Sequence, residues 1–244
     1  MTPRIYVGDD VPSLAAGDDY PLPPPAARHI AQALRMRSGD ALTLFTGNGG
    51  EYVSTIVRAD RRDIVIRVAR HDAIERESPH PVVLVQSLIA ADMMDLVVRK
   101  AVELGATAIV VARAARSQSI ASERAERRVA HWRKIAIAAC EQCGRNRIPD
   151  VAGIMELSAW LDAHADAHTA ILDADASRSL AASSRIDAPR AIAVGPEGGF
   201  APEEVHRATA RGALAVHLGR RVLRAETAAI AALATLDAIA GDAQ

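Results

Sequence analysis

The sequence predicts an α/β protein in which a parallel sheet, covered on both faces by helices, follows a smaller and mostly β segment. Three observations carry this. Beyond residue 81, short continuous apolar runs alternate with longer stretches of helical period, the pattern of buried parallel strands joined by helices. Before residue 74, β-branched and alternating runs dominate. Between them, Ile74-Glu75-Arg76-Glu77-Ser78-Pro79-His80-Pro81 is charged and then proline-bearing, as a linker is. The expected division is therefore a domain over 1–73, a linker over 74–81 and a second domain over 82–244.

The first domain reads as a small barrel with one helix. Leu42, Leu44 and Phe45 lead into Gly47-Asn48-Gly49-Gly50, whose positive-φ positions suit a hairpin to strands at 52–57 and 64–68. The helix, over 26–36, follows the breaker run Pro21-Leu22-Pro23-Pro24-Pro25.

In the second domain, residues 82–88 form the first apolar run. Asp92 is a candidate N-cap for a helix with the stripe Met93, Leu96, Val97, Ala101 and Leu104, stopped at Gly105. A strand at 108–112 follows. A long helix over 122–143 then carries Val129, Trp132, Ile135, Ala136 and Ala139 on one face. Further strands are expected at 169–172, 191–194 and 213–218, with helices starting near Leu157, Pro202 and Arg224. No internal repeat is present.

Composition narrows the function. A chain of 244 residues that is 50% hydrophobic and 24% charged buries a real core, which excludes a disordered or collagen-like protein. No uncharged apolar stretch reaches membrane-span length, and the first residues lack the apolar core of a secretory signal. A soluble cytoplasmic protein is expected. The net charge of -1 does not advertise nucleic-acid binding, yet only Lys100 and Lys134 among the basic residues are lysine. Arginine suits phosphate and base-edge contacts, and a local basic stripe can serve RNA without a basic whole. Cys140 and Cys143, spaced C-E-Q-C inside a helical pattern with no second ligand pair, read as reduced structural thiols. The eight histidines are scattered, and no metal is expected.

Ligands of open α/β sheets bind beyond the C-terminal strand ends, and two loops there stand out. The first is Val194-Gly195-Pro196-Glu197-Gly198-Gly199-Phe200, either a tight strand-to-helix turn or a backbone cradle for a ligand. It is neither a G-x-G-x-x-G fingerprint nor a Walker A loop. The second is Leu218-Gly219-Arg220-Arg221-Val222-Leu223-Arg224-Ala225-Glu226-Thr227, where Arg224 and Glu226 are ordinary first-turn charges or edge a pocket. A third cluster, Gly144-Arg145-Asn146-Arg147-Ile148-Pro149, ends the long helix, where its cations either cap the helix dipole or meet a ligand.

These segments, V-G-P-E-G-G-F, L-G-R-R-V-L-R-A-E-T-A, A-C-E-Q-C-G-R-N-R-I-P and R-K-A-V-E-L-G, together resemble the RsmE family of SPOUT-class methyltransferases acting on small-subunit ribosomal RNA. The likeness spans nearly the whole chain, including L-R-M-R-S-G-D from Leu34 to Asp40. It implies a PUA-like RNA-binding barrel and a SPOUT-type α/β domain with a deep trefoil knot. It also implies S-adenosylmethionine as cofactor, a homodimer, and methylation of N3 of a uridine in the RNA or assembled small subunit.

Carried over by position, Leu172, Gly195, Glu197, Gly199, Leu218, Gly219, Leu223, Arg224 and Thr227 match the cofactor site. Arg35, Arg37, Arg116, Gln142, Arg145 and Arg147 match positions facing RNA. For catalysis, either Glu226 or Glu197 is expected to serve as proton acceptor, or Arg224 to stabilise the developing negative charge so that no protein base is needed. Two departures stand out. Ala90 and Ala91 occupy positions usually held by a basic residue and glycine, and Ala115 occupies a usually acidic one. Without the resemblance, a non-catalytic RNA-binding protein and an enzyme of phosphorylated metabolites stay open.

Overall fold

The computed structural model describes residues 2–8, 11, 14–60, 63–166, 168–185 and 187–241. The chain divides into two compact units. One is Met1–Glu77 with Cys140–Ile148, and the other is Ser78–Ala139 with Pro149–Gln244. Residues 74–77, read as linker from sequence, thus lie with the first unit, as does the end of the long helix.

The first unit holds a five-stranded sheet of β1 (Arg4–Tyr6), β2 (Asp19–Pro21), β3 (Ala41–Phe45), β4 (Glu51–Ala59) and β5 (Ile64–Asp72), in the order β1-β3-β4-β5-β2. Ile64, Ile66 and Val68 alternate inward from β5 and meet Leu42, Leu44 and Ile56 in one apolar cluster. The expected β3–β4 hairpin forms, pairing Leu44 with Tyr52. The expected barrel is a sheet whose edge strands β1 and β2 do not pair with each other among the described residues. Both edge strands, three residues each, are too short to leave a sequence period. The helix starts at Pro24, where proline's fixed φ suits the first turn, and runs as α1 (Pro24–Arg28) into a wider π-helical turn, His29–Leu34. Arg35 ends it in the left-handed region at φ 54°, its N–H on the Ile30 carbonyl.

The second unit is built on a six-stranded, wholly parallel sheet. Its strands are β6 (Val83–Ser87), β7 (Ala108–Arg113), β8 (Asp150–Glu156), β9 (Thr169–Leu172), β10 (Ala191–Val194) and β11 (Leu214–Val216), ordered β11-β9-β10-β6-β7-β8. The chain runs outward from β6 to β8, returns beyond β6 to β9, and then inserts β10 between the two. The strand order reverses at the β6–β10 pair.

Connecting helices are α2 (Ala91–Glu103), α3 (Ser122–Cys143), α4 (Leu157–His164), α5 (Leu180–Ser184), α6 (Pro202–Ala210) and α7 (Ala225–Gly241). Val85, Ile171 and Ala193 join Trp160 and Leu161 of α4 and Ala208 of α6 in one cluster. Leu84, Ile109 and Ile192, on the other face by the period of two, are equally buried, so both faces are covered.

Asp92 is not the N-cap of α2. The helix begins two residues earlier than that cap implies, at Ala91, with Ala90 as cap, and its buried stripe is Met94, Val97, Val98, Ala101 and Val102. Gly105 follows the helix at φ +81°, as a stop signal should. On α3, Val129, Trp132, Ala136 and Ala139 are buried as read, while Ile135 is half-buried. Trp132 donates its indole N–H to Asp95 of α2 at 3.1 Å. Among the described residues no helix is long and apolar enough to cross a membrane.

Candidate functional site

Three loops leave the C-terminal ends of β9, β10 and β11 and enclose one cleft of about 640 Å³ of atom-free space, part of it open to solvent. The first supplies Leu172, Asp173 and Ala174; the second Val194, Gly195, Pro196, Glu197 and Gly199; the third His217, Leu218, Gly219, Arg221, Val222 and Leu223. The two glycine loops, far apart in sequence, are therefore one wall and its neighbour.

Backbone geometry explains the glycines. The second loop turns tightly, with the Gly199 N–H on the Pro196 carbonyl at 2.9 Å and Gly199 at φ +68°. At Gly195 the requirement is space. A Cβ there would sit 3.1 Å from the Phe200 nitrogen and 3.2 Å from the Gly199 carbonyl carbon, both main chain. In the third loop Gly219 holds φ +133° and donates its N–H to Nδ1 of His217 at 3.0 Å.

Neighbouring segments fasten the glycine loop from outside. Arg116, in the loop after β7, donates to the carbonyl oxygens of Gly198 at 2.8 Å and Phe200 at 3.4 Å. Glu204 accepts from the Ala115 N–H and, three residues back along its own chain, from the Ala201 N–H, each at 2.8 Å. Ala201 caps α6 with no side chain of its own to offer, so Glu204 satisfies that orphan donor. Glu197 accepts from the Ala90 N–H at 3.1 Å, at the start of α2. Of the three positions where the sequence departs from its resemblance, Ala90 and Ala115 thus engage the site through their backbone.

Of the residues matched to a cofactor site, Leu172, Gly195, Glu197, Gly199, Leu218, Gly219 and Leu223 line the cleft. Arg224 and Thr227 do not, and neither does Glu226, which lies in the first turn of α7. Asp173, His217 and Arg221 line the cleft and escaped the sequence reading. Asp173 was findable as the residue after a strand; His217 sits directly before the Leu218-Gly219 pair and passed as one scattered histidine.

The residues matched to RNA contacts separate. Arg35, Arg37 and Gln142 are exposed. Arg116 holds the glycine loop as described. Arg145 is buried, with 4% exposure, and its guanidinium grips Glu77 through bonds of 3.0 and 2.5 Å. Arg147 is exposed and meets Glu75 at 3.2 Å. Between them Asn146, fully buried, accepts from Arg4 and donates to Glu51 at 3.2 Å and to the Ile74 carbonyl at 2.7 Å. Arg76 in turn reaches Glu51 and the Gly144 carbonyl, both at 2.9 Å. The G-R-N-R segment therefore binds down residues 74–77, with Arg145 held on Glu77.

Against this geometry, the family comparisons are specific. A family model described as an RNA methyltransferase domain matches residues 76–237, and an RNA methyltransferase PUA domain matches 22–69. The ribosomal RNA small subunit methyltransferase E of Mycobacterium bovis is 32% identical over 84% of this chain and 80% of its own. The chain belongs to the ribosomal RNA small subunit methyltransferase E family. Another relative in this family, from Buchnera aphidicola, is 27% identical over 98% of this chain and 94% of its own. The family member from Neisseria gonorrhoeae, solved bound to S-adenosyl methionine, superposes with a TM-score of 0.89 at 33% identity, covering 98% of both chains. A methyltransferase from Legionella pneumophila, solved with bound cofactor SAM, gives 0.91 at 35% identity and the same coverage.

Proposed function

We propose that the protein methylates N3 of a uridine in small-subunit ribosomal RNA, with S-adenosylmethionine as donor, as a cytoplasmic homodimer. The carrying observation is the single cleft formed by the loops after β9, β10 and β11, in a chain about one-third identical to solved methyltransferases holding that cofactor.

The lining residues suit such a ligand. Leu172, Val194, Leu218 and Leu223 offer apolar walls to a base, the glycine loops bring main chain close, and the carboxylates of Asp173 and Glu197 border the cleft where a cationic donor needs negative partners. The cofactor supplies an electrophilic methyl group on a sulfonium. This chain's residues position that group and receive charge and proton. As the N3–C bond forms and the S–C bond breaks, the imide proton must leave N3. Glu197, on the cleft wall, and Glu226, in the first turn of α7, are the candidate acceptors, with Arg224 stabilising the anionic ring. Glu197 lines the cleft, and its one bond from the Ala90 N–H leaves the other carboxylate oxygen to accept the proton, so Glu197 is the acceptor we favour.

In this reading Met1–Glu77 with Cys140–Ile148 is the PUA-like RNA-binding unit, with 74–81 leading into the SPOUT domain. The long α7 segment after the third loop belongs to the deep trefoil knot. Val222, 85% exposed at the cleft rim, is the apolar contact for a second protomer. Arg35, Arg37, Gln142 and Arg147 meet RNA, while Arg116 and Arg145 act by holding loops.

The test is incubation of unmodified small subunits with labelled methyl donor, followed by nucleoside mass spectrometry. N3-methyluridine is expected. No transfer, or transfer to another atom, overturns the proposal. If Glu226→Gln and Glu197→Gln both keep normal single-turnover rates, neither carboxylate is the acceptor.

A further inference from the structure

The N-terminal half of α3 carries a basic face that none of the residues assigned above includes. Arg124, Arg127, Arg128 and His131 fall at i, i+3, i+4 and i+7, so they share one side of the helix and border one shallow surface depression. Arg124, Arg127 and His131 are exposed, and Arg128 is half-buried. His131 is fixed by its Nε2 contact with Asp95 of α2 at 2.9 Å. The three guanidiniums have no hydrogen-bond or ion-pair partner among the described residues. Glu123 stands four residues before Arg127, the favourable order for a helical ion pair, yet the pair is not made.

This arrangement opposes helix stability on two counts. Like charges three and four residues apart repel, and cations in the first turns of a helix face the positive end of its dipole. A row of uncompensated arginines along about 10 Å of helix fits a partner that brings a comparable row of negative charge, which a nucleic-acid backbone does.

We propose that Arg124, Arg127, Arg128 and His131 form a phosphate-binding face for the RNA substrate, contacting its backbone without reading its bases. The inference rests on the methyltransferase reading of the preceding subsection and extends the RNA surface beyond the residues matched by resemblance. Arginine matches phosphate oxygens through its planar fork, and contacts of this kind set affinity and register rather than sequence.

The experiment compares wild type with Arg124→Gln/Arg127→Gln/Arg128→Gln in binding to transcribed small-subunit rRNA across a salt series. Affinity at low salt should fall by about tenfold or more, and the slope of log K against log salt should flatten by about two to three phosphate contacts. Affinity for S-adenosylmethionine should be unchanged. The triple lysine variant keeps the charges and should retain most of the affinity, which also answers the case in which the glutamine variant folds poorly.

A folded glutamine variant with wild-type affinity and slope overturns the inference while leaving methyl transfer standing. A change of oligomeric state would give this face to a second protomer, and competition by polyglutamate at equal charge would give it to acidic proteins; either result also overturns it. Failure of the wild type itself to bind donor or methylate RNA would instead sink the underlying function.

Discussion

Arg116 reaches across from the loop after β7 and donates to the Gly198 carbonyl oxygen at 2.8 Å, so a cationic side chain sets the position of a loop that lines the cleft. Glu204, in the first turn of α6, ties that helix to the same loop by accepting from the Ala115 N–H. Neither side chain lines the cleft. Both act by limiting the conformations of Gly195 to Gly199, which lowers the entropy that ligand binding must remove.

Arg116→Ala is accordingly expected to weaken S-adenosylmethionine binding by about tenfold, or ~1.4 kcal/mol, the low end for a charge-assisted bond at an exposed site. Calorimetry reads this directly. An unchanged dissociation constant would show that the loop keeps its shape unaided.

Gly195→Ala tests the same loop from within. Its added methyl meets only main-chain atoms, which cannot rotate aside as a side chain would. The loop must open instead, so donor affinity should drop by at least tenfold. Gly153→Ala, on the edge strand β8 where an added Cβ meets nothing within 4 Å, is the control and should bind normally. Equal affinity in the two variants would contradict the crowding argument.

How much of this was legible in the sequence follows from how each element is stabilised. The strands Thr169–Leu172 and Ala191–Val194 were readable to the residue because burial on both faces leaves an unbroken apolar run. β8 was missed entirely, since an edge strand reading Asp-Val-Ala-Gly-Ile-Met-Glu has neither that run nor a clean alternation. The five-residue α5 is likewise too short for a helical period. At the site, glycines announced the two main loops and Asp173 directly follows a readable strand, but His217 joins the cleft through the fold alone. Arg145 shows what residue type alone leaves out: its ion pair with Glu77, distant in sequence, exists only in the fold.

The cysteines should behave differently from each other. Burial pushes the Cys140 thiol up to about 12, while Cys143 is half-buried. Because the thiolate is the reactive form, native protein near pH 8 is expected to react with a thiol-specific reagent at Cys143 alone. Unfolding should release the second equivalent. Rapid labelling of both thiols in the native state would mean that the end of α3 opens readily.

Glu51 supplies an acid-stability prediction with a definite sign. Burial opposes its ionisation, but hydrogen bonds from Arg76, Arg4 and Asn146 outweigh this and hold its pKa at about 2, against an ordinary 4.5. A depressed carboxylate contributes stability that is fully present above its unfolded pKa and is lost as pH falls through its folded one. The contribution should therefore be complete near neutrality, decline below about pH 4.5, and be gone below about pH 2. Glu51→Gln leaves Arg4 and Arg76 without their anion, which should cost about 3 kcal/mol near neutral pH, the lower part of the range for breaking a buried pair. Denaturant unfolding of wild type and variant at several pH values measures the difference. It should narrow on acidification, because the wild type alone has this charge to lose. A gap that stays constant from neutral to acid pH would show that Glu51 stabilises the unit by shape, and that its three hydrogen bonds do not depend on its charge.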